Sequence, residues 1–160
     1  MPIKRITDLV AEWTRAKAGA LEFIDAIPDN LLGFKPAPEV FSFAVQYIHI
    51  ASANYFFASA VFGLENPFDK SKGFEPEKDE SLQANKPALK TFVGDSYDFV
   101  IGGLISSDPA TLDEDVLFHK WTMSKVSMIS KALEHHAHHR GQTAAYFRFN
   151  GLTPPPEHLF

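Results

Sequence analysis

Apolar residues recur at helical spacing in four long stretches of this chain, separated by segments where polar residues, prolines and glycines break the pattern. Leu9, Trp13, Ala16, Ala20, Phe23 and Ile27 fall on one face and predict a helix from about Ile3 to Ala26, which Pro28-Asp29-Asn30 should end. Leu31 to Val40 carries two prolines and a glycine and reads as an irregular connection. Ser42 can cap a second helix running to about Phe62, with Gly63 where a C-terminal cap is expected. Glu65 to Pro87 then turns polar, a long surface connection. Leu89, Phe92, Val93, Phe99, Val100 and Leu104 mark a third helix over about Ser81 to Ser106, with Pro87 in or just before its first regular turn. Between Asp108 and Met123 the alternation around Val116, Phe118 and His119 suggests a short extended segment instead of a helix. Ser124 is placed to cap a last helix reaching about Phe149; Asn150-Gly151 ends it and Pro154-Pro155-Pro156 prevents a restart. The pattern predicts an all-α fold, a four-helix bundle forming one domain over residues 1–160. The long crossover between helices 2 and 3 frees it from up-down-up-down order.

Composition narrows this little but excludes much. At 160 residues with 45% hydrophobic and 22% charged positions the chain can bury one substantial core, and fifteen phenylalanines should make that core aromatic. The net charge is −5 and the basic residues are scattered, so nucleic acid is not an expected partner. The absence of cysteine rules out disulfides, thiolate metal sites and a cysteine nucleophile. Asp8, Glu12 and Arg15 interrupt any apolar run after Lys4 and Arg5, so no signal peptide is read and a cytoplasmic location is the expectation. Phe41 to Leu64 contains no Asp, Glu, Lys or Arg and is close to the roughly 20 residues that span a bilayer. Ser42, Gln46, His49, Ser52, Asn54 and Ser59 recur through it, however, and favour a helix buried in protein over a membrane span.

The candidate chemistry lies in the last helix. His135-His136-Ala137-His138-His139-Arg140-Gly141 holds four of the seven histidines. Stepping by four and three, Met128, Ala132, His135, His139, Gln142, Tyr146 and Phe149 share one stripe, so His135 and His139 project one turn apart from a face that is mostly apolar. Unpaired imidazole nitrogens are costly there, and a divalent metal ion is the simplest partner for imidazoles at i and i+4. A third ligand must come from another helix. His49 is alone on helix 2, with Val45, Ser52 and Phe56 on its stripe. A lone histidine among apolar neighbours is more often a satisfied core residue, but the pair on helix 4 turns His49 toward the ligand reading. Three neutral imidazoles leave a position open on zinc or nickel, the pattern of catalytic sites, at which water or a thiol could be activated. His138 and Gln142 are candidates for supporting the ligands from behind, and Gln142 could equally be a structural glutamine. His136 and Arg140 are expected at the surface or an interface, His119 and His158 in solvent.

Glu134-His135-His136-Ala137-His138-His139-Arg140-Gly141-Gln142 resembles the signature of the DinB/YfiT-like superfamily of metalloenzymes. The stretches Ile27-Pro28-Asp29-Asn30-Leu31-Leu32-Gly33-Phe34-Lys35-Pro36-Ala37-Pro38 and Phe149-Asn150-Gly151-Leu152-Thr153-Pro154-Pro155 are similar to that family's loop before helix 2 and its ending after helix 4. The resemblance implies a four-helix bundle with metal on His49, His135 and His139, and homodimers. It also implies thiol-dependent transferase or isomerase chemistry that uses bacillithiol, mycothiol or a related low-molecular-weight thiol. The expectation is a metal-dependent enzyme acting on a small electrophilic molecule. Its rivals are a non-catalytic metal-binding stress-response bundle and a metal-free helical scaffold.

Overall fold

The computed structural model describes residues 2–68 and 75–158, with side chains from Arg5 onward; part of the expected polar connection, 69–74, lies outside the described residues. Its helices are α1 (Pro2–Ala26), α2 (Phe43–Phe62), the short α3 (Glu80–Ala84), α4 (Lys86–Ser106) and α5 (Lys125–Phe149). Two strands, β1 (Asp115–Phe118) and β2 (Trp121–Ser124), precede α5.

Local chemistry sets these limits. Ser42 Oγ accepts from Val45 N at the start of α2, and Gly63, at φ 68°, closes its end with an N–H bond to Ser59 O. At the end of α5, Gly151 adopts φ 70° while Gly151 N bonds Arg148 O and Leu152 N bonds Phe147 O, a Schellman closure. The expected third helix is broken. Asn85 leaves helical geometry at φ −121°, ψ 97°, separates α3 from α4 and caps α4 by accepting from Ala88 N. Pro87 is the reason: it has no N–H to bond back into α3, so the chain restarts with proline in the first turn.

The extended stretch foreseen around Val116 becomes an antiparallel hairpin, with Val116 opposite Met123 and Phe118 opposite Trp121. Its two-residue loop puts His119 at φ 53°, a left-handed conformation that a side-chain-bearing residue adopts at a cost of about 1 kcal/mol.

Cross-helix contacts fix the directions. Asn54 meets Ser96 and Phe62 meets Gly103, so α2 and α4 run parallel. Lys17 pairs with Asp98 and Asp25 with Lys90, so α1 opposes α4; Tyr146 meets Gln46 and His136 meets Asn54, so α5 opposes α2. The order is up-down-down-up, and the long connection carries the chain back along the bundle. Close approach of α2 and α4 needs Gly103, where a Cβ would fall 2.3 Å from the Phe62 ring. The core is aromatic as expected: Trp13, Tyr47, Tyr97, Phe43 and Phe147 are essentially inaccessible. Among the described residues no helix is long and apolar enough to cross a membrane, and Phe43, Ala44, Tyr47, Ile48 and Ala51 of α2 are instead buried against protein.

Candidate metal centre

The antiparallel packing of α2 on α5 sets His49 opposite His135 and His139. His49 Nε2 lies 3.2 Å from His135 Nε2, which lies 3.1 Å from His139 Nε2, and the three candidate ligand atoms all fall within 4.8 Å of one another. Ligands at the usual zinc–imidazole bond length of about 2.0–2.1 Å in a tetrahedron stand roughly 3.3 Å apart, so the cluster is already close to the spacing one ion requires. His139 is buried; His135 and His49 are part-exposed at the rim.

The other face of each ring decides whether its Nε2 lone pair is free. Gln46 Nε2 donates to Gln142 Oε1 and to Tyr146 OH, both at 2.9 Å, which turns Gln46 Oε1 toward His139. His139 Nδ1 therefore carries a proton and donates it at 2.6 Å, leaving Nε2 as an acceptor aimed into the cluster. Tyr146 OH in turn donates to Phe41 O at 2.8 Å, which pins the assembly to the start of α2. His49 Nδ1 faces Glu77 Oε1 at 3.4 Å, a carboxylate–histidine pair of the sort that supports metal ligands. His135 Nδ1 is buried with no hydrogen-bond partner, so packing, including Phe57 at 6.3 Å between ring centroids, orients this third ring.

Protonation follows from burial. His139 is held down at about 3 and His135 at about 4, first because burial disfavours the imidazolium and then because neighbouring imidazoles disfavour a second charge. Both rings are neutral at pH 7, the form that binds metal. The donor set fits a borderline divalent ion: nitrogen only, neutral, with two of three rings anchored from behind.

A cleft of about 330 Å³ opens onto His49 and His135, walled by Phe56, Phe57 and Phe118 and rimmed by His119 and Glu77. The hairpin builds half of it. Phe118 stacks on Phe57 at 4.7 Å, and the strained His119 lies flat over Phe56 at 5.3 Å.

The other expected site residues divide. Gln142 supports His139 only through Gln46, and His138 is exposed at the far end of the same chain, accepting from Gln142 Nε2 at 3.0 Å. Gln46 was not singled out, although it lies one turn before His49 on the same face of α2. His136 is the clear correction: expected at the surface or an interface, it is in the core at 3% exposure, with Nε2 bonded to Asn54 Oδ1 and its ring against Trp13 and Tyr97. Arg140 is likewise half-buried. His119 and His158 are exposed as expected.

Residues 12–143 match the DinB superfamily. The fold is similar to the crystal structure of a DinB-like protein from Bacillus cereus ATCC 10987, with a TM-score of 0.77 at 21% identity over 94% of this chain and 95% of that one. It is also similar to a DinB-like protein from Bacillus subtilis, YjoA, with a TM-score of 0.70 at 20% identity over 94% and 96% of the two chains. Among curated proteins none matches the chain significantly.

Proposed function

Because the chain belongs to the DinB superfamily and holds three histidines within reach of one ion, we propose that it is a metal-dependent enzyme acting on a small electrophilic molecule. His49, His135 and His139 would hold zinc or nickel. The observation that carries the reading is the cleft: two of the three cluster histidines, His49 and His135, line it, so the cluster is not sealed in the core. A non-catalytic metal-binding bundle would have no use for such access.

A divalent ion bound there supplies a Lewis acid that makes a thiol, or secondarily water, nucleophilic near neutral pH. The protein's own contribution is shape and orientation. Gln46 and Glu77 hold His139 and His49 by their Nδ1 atoms, and Phe56, Phe57 and Phe118 keep water from the electrophile. His119 offers an imidazole on the rim for proton transfer. Ser52 Oγ, which also lines the cleft, donates to Ile48 O at 2.9 Å and is thereby committed to the backbone.

The test is elemental analysis of tag-free protein alongside His49→Ala, His135→Ala and His139→Ala, followed by turnover assays with low-molecular-weight thiols and model electrophiles. Near-stoichiometric zinc or nickel, lost in each variant, together with metal-dependent thiol transfer is the expected result. Protein that refuses added Zn²⁺ and Ni²⁺ overturns the proposal.

A further inference from the structure

Arg140 and Arg148 stand apart from the chain's other two arginines. Arg5 holds Asp113 at 2.8 and 3.0 Å, and Arg15 pairs with Glu12 while donating to His158 O at 2.6 Å. Among the described residues the guanidinium groups of Arg140 and Arg148 have no hydrogen bond or ion pair, yet both line one cavity of about 520 Å³ between α5 and the segment after it. A guanidinium carries five N–H donors and no acceptor, so leaving one half-buried without an acceptor costs desolvation energy that a bound anion would recover.

The local structure makes room for these groups. Arg140, Ala144 and Arg148 follow at four-residue spacing on one face of α5, so the two arginine backbone positions lie about 12 Å apart along the axis, a gap that two long side chains can close over the small residue between them. Arg140 reaches α1 at Gly19, where an added Cβ would stand 3.2 Å from its Nη1; glycine there leaves space for the guanidinium. The opposite wall is Leu152 and Pro154 to Pro156. Prolines have no N–H to offer, so the donors come chiefly from the two arginines while the wall is apolar. Glu157 is the one acid on the lining and makes no ion pair with either arginine.

We propose that this groove binds a small organic anion, a phosphate or carboxylate head held between Arg140 and Arg148 with an apolar body against Leu152 and the prolines. Planar guanidinium groups suit such heads because they can bond two oxygens at once. This site is on the far side of α5 from the histidine cluster and does not depend on metal.

Titration of metal-free, isotope-labelled protein with phenyl phosphate at constant ionic strength, followed by amide NMR, tests it. Saturable shifts at Gly141, Ala144 and Thr153 are expected, with affinity about tenfold or more lower in R140Q and in R148Q, as loss of a charge-assisted contact implies. Arg148 is exposed, so R148Q keeps the test decisive should R140Q fail to fold. Shifts confined to His49, His135 and Phe118, no saturation, or affinity unchanged in R148Q would each overturn the proposal.

Discussion

Gln46→Met separates the orientation of the metal site from its ligands. Gln46 is 1% exposed and its amide makes three bonds: to His139 Nδ1 at 2.6 Å, Gln142 Oε1 at 2.9 Å and Tyr146 OH at 2.9 Å. Methionine fills nearly the same volume and makes none of them. Tyr146 keeps its bond to Phe41 O and part-exposed Gln142 can turn to water, so only His139 Nδ1 is left buried and unpaired. One such orphan costs about 1–3 kcal/mol of stability, which the protein should survive. The larger consequence is tautomeric. Without an acceptor at Nδ1 the proton can move to Nε2, the atom that would face the ion, and metal must then displace it. Loss of comparable support elsewhere weakens metal binding about 10- to 100-fold, or about 1.4–2.7 kcal/mol. Competition with a chromogenic chelator measures the Zn²⁺ affinity, and imidazole ¹⁵N shifts report the tautomer. Wild-type affinity in a folded Gln46→Met protein, with His139 Nδ1 still protonated, would refute the reasoning.

Three further outcomes are expected. In metal-free protein His135 and His139 are depressed to about 4 and about 3 from 6.5, so between these values the unfolded chain binds protons that the folded one refuses. The stability these two contribute is thus fully present above about pH 6.5 and is lost as pH falls toward 4 and 3; after allowance for water at the cleft their share of the loss by pH 5 is on the order of 2 kcal/mol, and buried His136, also depressed, adds to it in the same direction. Urea midpoints at pH 7.5 and 5 check this, and a flat profile contradicts it. Gly103→Ala drives a methyl into the Phe62 ring at 2.3 Å, an overpacking cost of about 1–3 kcal/mol against roughly 1 kcal/mol of helix propensity gained, so the thermal midpoint should fall; a rise contradicts the packing. Asn54→Leu leaves buried His136 without a bond at either nitrogen and should cost about 1–3 kcal/mol by denaturant unfolding. Adding His136→Phe should recover part of that loss, and a strictly additive double mutant would deny the coupling.

Where residues signal through local chemistry, the chain was readable in advance. Ser42 and Ser124 open helices and Gly63 and Gly151 close them through their own backbone and side-chain bonds, so those boundaries follow from residue type. His135 and His139 came together for the same reason, since i and i+4 on one helix are neighbours whatever surrounds them. The break at Asn85 is half visible in the sequence: Pro87 marks the place, but its effect depends on whether the turn before it can survive without an N–H, and here it does not. The hairpin's role was hidden because an aromatic wall becomes a wall only when Phe118 meets Phe57, 61 residues away.

His136 shows what a single helical stripe leaves out. One stripe assumes one buried face, and α5 has two. Its second face runs through Ile129, Ala132, His136, Arg140, Thr143 and Phe147, again in steps of three and four, and all but half-buried Arg140 are buried. That face meets Trp13 and Tyr97, while the first meets Gln46 and His49 on α2. The amphipathic contrast of α5 is weak because polar residues serve both sides: imidazoles toward the cleft, and His136, Thr143 and Arg140 toward the core and the groove beyond it. A helix that mixes polar and apolar residues on every side reads as mostly exposed. Here the opposite holds, because the buried polar atoms are matched almost one by one: His136 to Asn54, Thr143 to Tyr47 and His139 to Gln46. Arg140, on that same inward stripe, is the member with no hydrogen bond or ion pair among the described residues, and the groove it lines is where the proposed anion would supply one.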